Sequence, residues 1–188
     1  MSKARIEAFT DGVMAIIITI LVLDIHLPEQ HTWASLGHVA IPMIAYVVSF
    51  LLIANSWNHH HQMFATAKRV DGTVMWANIN LLFWMSLLPA VTAWFGEDIF
   101  AQPSGVLYAA LMIPFNLSFI WLNHAVQHAN DNDSHDGISK DSDRRELTSL
   151  GINVIAVLVT IFFPPFALAD IAFNSLLWLR PLREHKHK

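Results

Sequence analysis

Arg5, Thr10 and Asp11 stand at the mouth of a long apolar run, in the string RIEAFTDGVMAIIITILVLDIHL. Ionisable side chains at the edge of hydrocarbon are costly, so they mark functional or anchoring sites. Further on, His60 in WNHHHQMF brings an imidazole to the cytoplasmic end of the second apolar run. Such groups can satisfy one another, and a buried ion pair with added hydrogen bonds would lock one helix against the rest of a bundle. Other chemistries fare worse. His59, His60 and His61 are consecutive, and at ~100° apart on a helix they cannot converge on one metal ion. Neither HExxH nor GxSxG occurs, so the residues offer no catalytic motif and no enzyme is expected.

The elements that must position these residues are membrane helices. The 188-residue chain is 54% hydrophobic and 14% charged, with seven Trp and twelve Phe, which is too apolar for a soluble domain of this size. A net charge of −4 argues against nucleic acid as a partner. The lack of Cys excludes disulfides and thiolate metal sites. Lys3 and Arg5 precede the first run as in a signal peptide, but Glu7 and Asp11 intrude and no small-x-small site follows. The run is therefore expected to be a retained helix.

Apolar runs at 6–26, 35–57, 73–95, 104–127, 147–163 and 166–182 predict six spans, the first four near the ~20 residues a bilayer core requires. Residues 149–179 hold one charge, Asp170, yet as a single helix they would reach ~46 Å against a ~30 Å core. Pro164 and Pro165 lack amide donors and divide the stretch in two. With six spans, Lys3, Arg5, Lys68, Arg69, Lys140, Arg144, Arg145, Arg180, Arg183, Lys186 and Lys188 all fall on one side. That side is the cytoplasm, and both termini share it. The opposite loops carry Glu29, Glu97 and Asp98 without Lys or Arg. Residues 128–146, HANDNDSHDGISKDSDRRE, read as a polar cytoplasmic loop. The expectation is one all-α, six-helix transmembrane domain over 1–188, in the cell membrane and in contact with lipid. Small residues such as Gly12, Ala45, Ser49 and Ala109 are available for helix packing in lipid.

On the first span, at ~100° per residue, Gly12, Ile16, Thr19, Ile20 and Leu23 form one stripe. Met14, Ile18, Leu21 and Ile25 lie opposite, and Asp11 projects away from the first stripe. Periodicity leaves open whether either stripe faces lipid, a neighbouring helix or a pore, because an all-apolar helix has no readable polar face.

Arg5 through Asp11, with Phe9 and Thr10 between, resembles the first-helix signature RxxxFSDG of the lysosomal-type potassium channel family, transmembrane protein 175 and its prokaryotic relatives. Thr10 replaces the serine, keeping the hydroxyl and adding a methyl. Trp57, His60, His61 and Phe64 resemble a second motif, W-x-x-H-H-x-x-F, and Asn78 with Leu88-Pro89 is similar to the family's third helix. The resemblance implies a potassium-permeable channel, with helix 1 of each subunit lining the pore of a homotetramer. It implies Ile16 as the hydrophobic constriction, Ile20 and Leu23 as its apolar continuation, and Thr19 as the hydroxyl facing the ion. No cofactor is implied beyond the permeant cation. The family lacks a carbonyl-lined filter, no TVGYG occurs here, and selectivity for potassium over sodium is expected to be modest.

A ring of Ile side chains offers a dehydrating ion no oxygen, so it closes by dewetting and opens when widened. Asp24, with Glu29, Glu97 and Asp98, would raise the cation concentration at the outer mouth through its field. Arg5, Asp11 and His60, all near the cytoplasmic helix ends, suit an anchoring network better than ion coordination. A proton-coupled transporter using Asp11 and intramembrane His is the alternative. Transporters usually show broken helices in matching halves, and the Pro164-Pro165 break has no counterpart in the first half.

Overall fold

The computed structural model describes residues 2–130 and 136–178, with side chains placed for 2–130 and 146–175. The expected cytoplasmic cations Lys140, Arg144 and Arg145, those after residue 178, and the end of the sixth expected span fall outside the described side chains. Helix α1 runs Lys3–Leu23. The short α2, Trp33–Leu36, continues through a 3-10 turn at Gly37–Val39 into α3, Ala40–Thr66. Then follow α4 at Gly72–Ser86, α5 at Leu88–Glu97, α6 at Gln102–Ala129, α7 at Asp136–Phe162 and α8 at Phe166–Trp178. Lys3–Leu23, Trp33–Thr66, Gly72–Glu97 and Gln102–Ala129 are each long and apolar enough to cross a membrane, and Glu146–Phe162 is a shorter apolar stretch.

Local chemistry sets the boundaries. Thr32 caps α2 by accepting from the Ser35 amide at 3.1 Å, and Asp71 caps α4 by accepting from the Val74 amide at 2.9 Å; each satisfies an orphan donor of the first turn. Pro89 has no N–H to continue the ladder, and the third span divides at Leu87 into α4 and α5. Pro164 and Pro165 separate α7 from α8.

Two boundaries differ from the sequence expectation. Helix α3 continues to Thr66, so the Trp57–Phe64 motif lies within it. Helix α7 starts at Asp136, so the second half of the stretch read as a polar loop over 128–146 is helical. Its end is also buried, since Asn123 of α6 donates to the Glu146 carboxylate at 3.1 Å.

Helix α6 is central, in contact with α4, α5, α7 and α8. Its Tyr108 stacks on Phe95 of α5 at 4.9 Å, and the Tyr108 hydroxyl hydrogen-bonds Ser49 of α3 at 2.6 Å. Two glycines permit close helix approach, as in lipid they must. A Cβ on Gly96 would meet the Pro42 backbone at 3.2 Å, and one on Gly105 would meet Pro164 at 3.1 Å. Helix α1 packs on α3, α4 and α5, and it does so through one face.

Candidate pore-lining helix and its anchors

The two faces of α1 have different fates. Ile6, Thr10, Met14, Ile17 and Leu21 are buried in the bundle, at the three- and four-residue spacing of one helix face. Gly12, Ile16, Thr19, Ile20 and Leu23 are all uncovered, Ile16 to 59% and Leu23 to 76%. Arg5 and Phe9 share that open stripe. The face opposite the stripe centres on Ile17 rather than Ile18, which is only partly buried, as is Ile25. The Thr19 hydroxyl donates to the Ile16 carbonyl at 2.8 Å. Its proton is thereby turned to the backbone, and the oxygen keeps its lone pairs as an acceptor on the uncovered stripe. Asp24 forms the C-cap of α1 and is partly buried. Its carboxylate adds to the negative end of the helix dipole.

The anchoring residues separate into two sets. Inside the bundle, His60 Nε2 donates to Asn78 Oδ1 at 3.0 Å, and Asn78 Nδ2 donates to Thr10 Oγ1 at 2.9 Å. All three side chains are buried, and His60 is backed by Phe64, ring centroids 4.3 Å apart. This chain joins α3 to α4 to α1, and the threonine hydroxyl serves where the signature has serine. At the surface, Trp57 Nε1 donates to Asp11 Oδ1 at 2.8 Å, with both residues uncovered. The expected buried network of Arg5, Asp11 and His60 does not form within the chain. Arg5 and Asp11 are six residues apart and so lie on different helix faces. Arg5 is uncovered, and the ion-pair contact among the described residues is His59 with Glu146 at 3.7 Å.

Sequence reasoning missed that His59 and Glu146 pair, and it missed a further tie, Lys3 Nζ donating to the Ala67 carbonyl at 3.1 Å. The first carried a readable signal: Glu146, Ser149, Asn153 and Thr160 recur at helical spacing inside an apolar run. No group of three or more His, Asp or Glu among the described residues is placed to hold a metal ion.

The sequence profile of the family described as "Endosomal/lysosomal potassium channel TMEM175" matches residues 5–89, the stretch that holds Thr10, Asp11, Trp57, His60 and Asn78. A Chryseobacterium protein, "Potassium channel HX13_20290", is 37% identical over 181 residues, covering 96% of this chain and 94% of that one. This chain belongs to the TMEM175 family. A solved crystal structure, that of a lysosomal potassium-selective channel TMEM175 homolog from Chamaesiphon minutus, superposes with a TM-score of 0.70 at 26% identity, covering 95% of this chain and 98% of the other. A Streptomyces collinus relative, "Potassium channel B446_29190", is 38% identical over 125 residues, 62% of this chain and 61% of its own length. As a TMEM175-family member the chain is a multi-helix membrane protein of an ion-channel family and not an enzyme. Its runner-up sequence reading, a transporter using Asp11 and membrane His, finds Asp11 held by Trp57 and His60 held by Asn78.

Proposed function

We propose that the protein is a potassium-permeable channel of modest selectivity over sodium, in which four copies turn the open stripe of α1 toward a common axis. The observation that carries this reading is the asymmetry of α1. One face is keyed into the bundle by Thr10, Asn78 and His60, while the stripe of Ile16, Ile20 and Leu23 is left uncovered. One helix face cannot enclose a pore, so its lining requires further copies. In that assembly Ile16 forms the hydrophobic constriction, with Ile20 and Leu23 extending it outward. Thr19 supplies the oxygen that discriminates among partly dehydrated cations, and Asp24 concentrates cations at the outer mouth. Six membrane crossings place both termini in the cytoplasm, in keeping with Lys3, Arg5, Lys68 and Arg69 at one end of the bundle. Thr10, Asn78 and His60, with the Asp11–Trp57 contact, hold the pore helix and do not coordinate the ion.

The test is cation flux through the purified protein in liposomes. Wild-type protein is expected to dissipate a potassium gradient faster than a sodium gradient, with no imposed proton gradient. Ile16→Asn, which wets the constriction, is expected to raise potassium flux at least tenfold. Flux that appears only with a proton gradient would replace the channel by the transporter. Flux unchanged by Ile16→Asn would remove α1 from the pore.

A further inference from the structure

A cavity lies between α3, α6, α7 and α8, and α1 contributes nothing to its wall. Leu52 of α3 and Met112, Phe115 and Phe119 of α6 give it an apolar lining, the two Phe rings meeting edge-on with centroids 5.4 Å apart. Ser149 and Asn153 of α7 and Asn174 and Ser175 of α8 add hydroxyls and amides. All eight of these side chains are buried. Neither Glu146 nor Asp170 is on the wall, and the imidazole that is, His59, has its Nε2 3.7 Å from the Glu146 carboxylate.

Most of the polar wall is already paired. Asn116 Nδ2 donates to Ser149 Oγ at 2.8 Å, and the Ser149 hydroxyl donates to Asn174 Oδ1. Asn174 Nδ2 reaches Asn153 Oδ1 at 2.9 Å, Asn153 Nδ2 reaches the Met112 carbonyl at 3.3 Å, and Asn55 Nδ2 reaches the Ser175 carbonyl at 2.7 Å. Among the described residues, the buried wall group left without a hydrogen-bond partner is the Ser175 hydroxyl. Such a group is costly inside a bundle, so an occupant that completes it is favoured. We infer that the cavity is a binding site for a small neutral amphiphile, one hydroxyl on a stem of about two carbons, the class of the short primary alcohols. This goes beyond the potassium reading and does not depend on it.

Size and chemistry select this class. The cavity leaves about 40 Å³ for the centres of water molecules, where one water needs ~10–15 Å³. That is room for about three waters, or for one molecule of about three non-hydrogen atoms. Three waters fit by volume and poorly by chemistry, because each needs about two to four polar partners and the wall offers one unpaired hydroxyl beside aromatic rings. An ion fits worse, since the wall carries no carboxylate to offset its lost hydration. A single hydroxyl pairs with Ser175, and its carbon stem covers Phe115 and Phe119. Burial of the wall does not prevent loading, because a dry cavity of about 150 Å³ engineered into a protein core takes up benzene. A ligand this small binds with a Kd on the order of 1 mM at best.

The probe is 2-fluoroethanol, in which fluorine replaces one hydrogen of the two-carbon alcohol. Its fluorine NMR signal is titrated against the purified protein in detergent, with saturation transfer from the protein as the readout and empty micelles subtracted. Wild-type protein is expected to show saturable binding that ethanol displaces and tert-butanol, the same hydroxyl on a stem too broad for the cavity, does not. Ser175→Ala, which deletes the hydroxyl and keeps the space, is expected to weaken binding at least threefold. Ser56→Leu replaces a wall hydroxyl bonded to its own helix at Leu52, fills the cavity and is expected to abolish binding. No saturable binding to the wild type would overturn the site and leave the cavity to water. Binding unchanged in either folded variant would also overturn it, and so would displacement by tert-butanol as effective as by ethanol. If neither variant folds, the two alcohols decide on the wild type alone: displacement by ethanol only supports the site, and any other pattern overturns it. Potassium flux takes no part in this measurement, so failure of the channel reading leaves it intact.

Discussion

Helix α1 buries Thr10 and leaves its apolar stripe uncovered, whereas Glu146 and Ser149 of α7 are buried against polar partners on α3, α6 and α8. The difference follows from what each surface needs. An uncovered Ile16 or Leu23 is content against lipid tails or another subunit, so an apolar stripe can be left vacant for an assembly to use. A buried Asn174 or Glu146 needs hydrogen-bond partners at once, and both find them on neighbouring helices of the same chain. In the proposed assembly the pore is a property of several copies, whereas these polar contacts are a property of one.

That contrast is broken most severely at Asn78. Asn78→Leu removes both bonds that link α1 to α3 through α4, and it leaves the buried Thr10 hydroxyl and His60 imidazole without their partner. The expected loss is about 2 kcal/mol, read as a lower unfolding temperature in detergent and a smaller assembled fraction. The surviving channels are expected to keep the wild-type potassium-to-sodium ratio. A changed ratio with undiminished stability would move the anchor into the permeation path. Asp11→Ala breaks one surface hydrogen bond from Trp57, and its effect on the unfolding temperature is expected to be smaller than that of Asn78→Leu.

A several-fold effect is expected at Thr19. Thr19→Val keeps shape and helix propensity but deletes the lone oxygen on the open stripe. The potassium-to-sodium permeability ratio, measured from reversal potentials, should fall toward one with the unfolding temperature unchanged. A constant ratio would leave Thr19 as a self-bonded helix residue whose link to the Ile16 carbonyl is its whole role.

Helix α1 was legible because two signals coincide there: the RIEAFTDG string names the anchors, and helical spacing separates Gly12, Ile16, Thr19, Ile20 and Leu23 from Met14 and Leu21. The division of the last apolar stretch was legible because two adjacent prolines forbid a continuous helix. The Arg5–Asp11 pairing was misjudged because nearness in sequence at a helix mouth was taken for nearness in space. The start of α7 was hidden by composition. Acidic and basic residues before Glu146 look like a solvated loop, and contacts with Asn123 and His59, from other helices, show why that carboxylate is inside. Partners contributed by distant segments leave no local pattern.

The smallest effect tests whether the open end of α1 lies in an ion's path at all. Asp24 caps that end, where the terminal carbonyls already carry about half a negative charge, and a tetramer would bring four such caps together. Asp24→Asn removes the carboxylate charge and keeps the side chain's size. Because the field of a partly exposed charge extends ~30 Å at 0.01 M salt and only ~3 Å at 1 M, a role in concentrating cations has a definite salt signature. Potassium conductance of the variant is expected to fall about twofold at low ionic strength and to match wild type at 1 M. An equal reduction at both concentrations would mean that Asp24 touches the ion or holds the helix end. No reduction at either would place the carboxylate away from the ion stream, and with it the open stripe that it terminates.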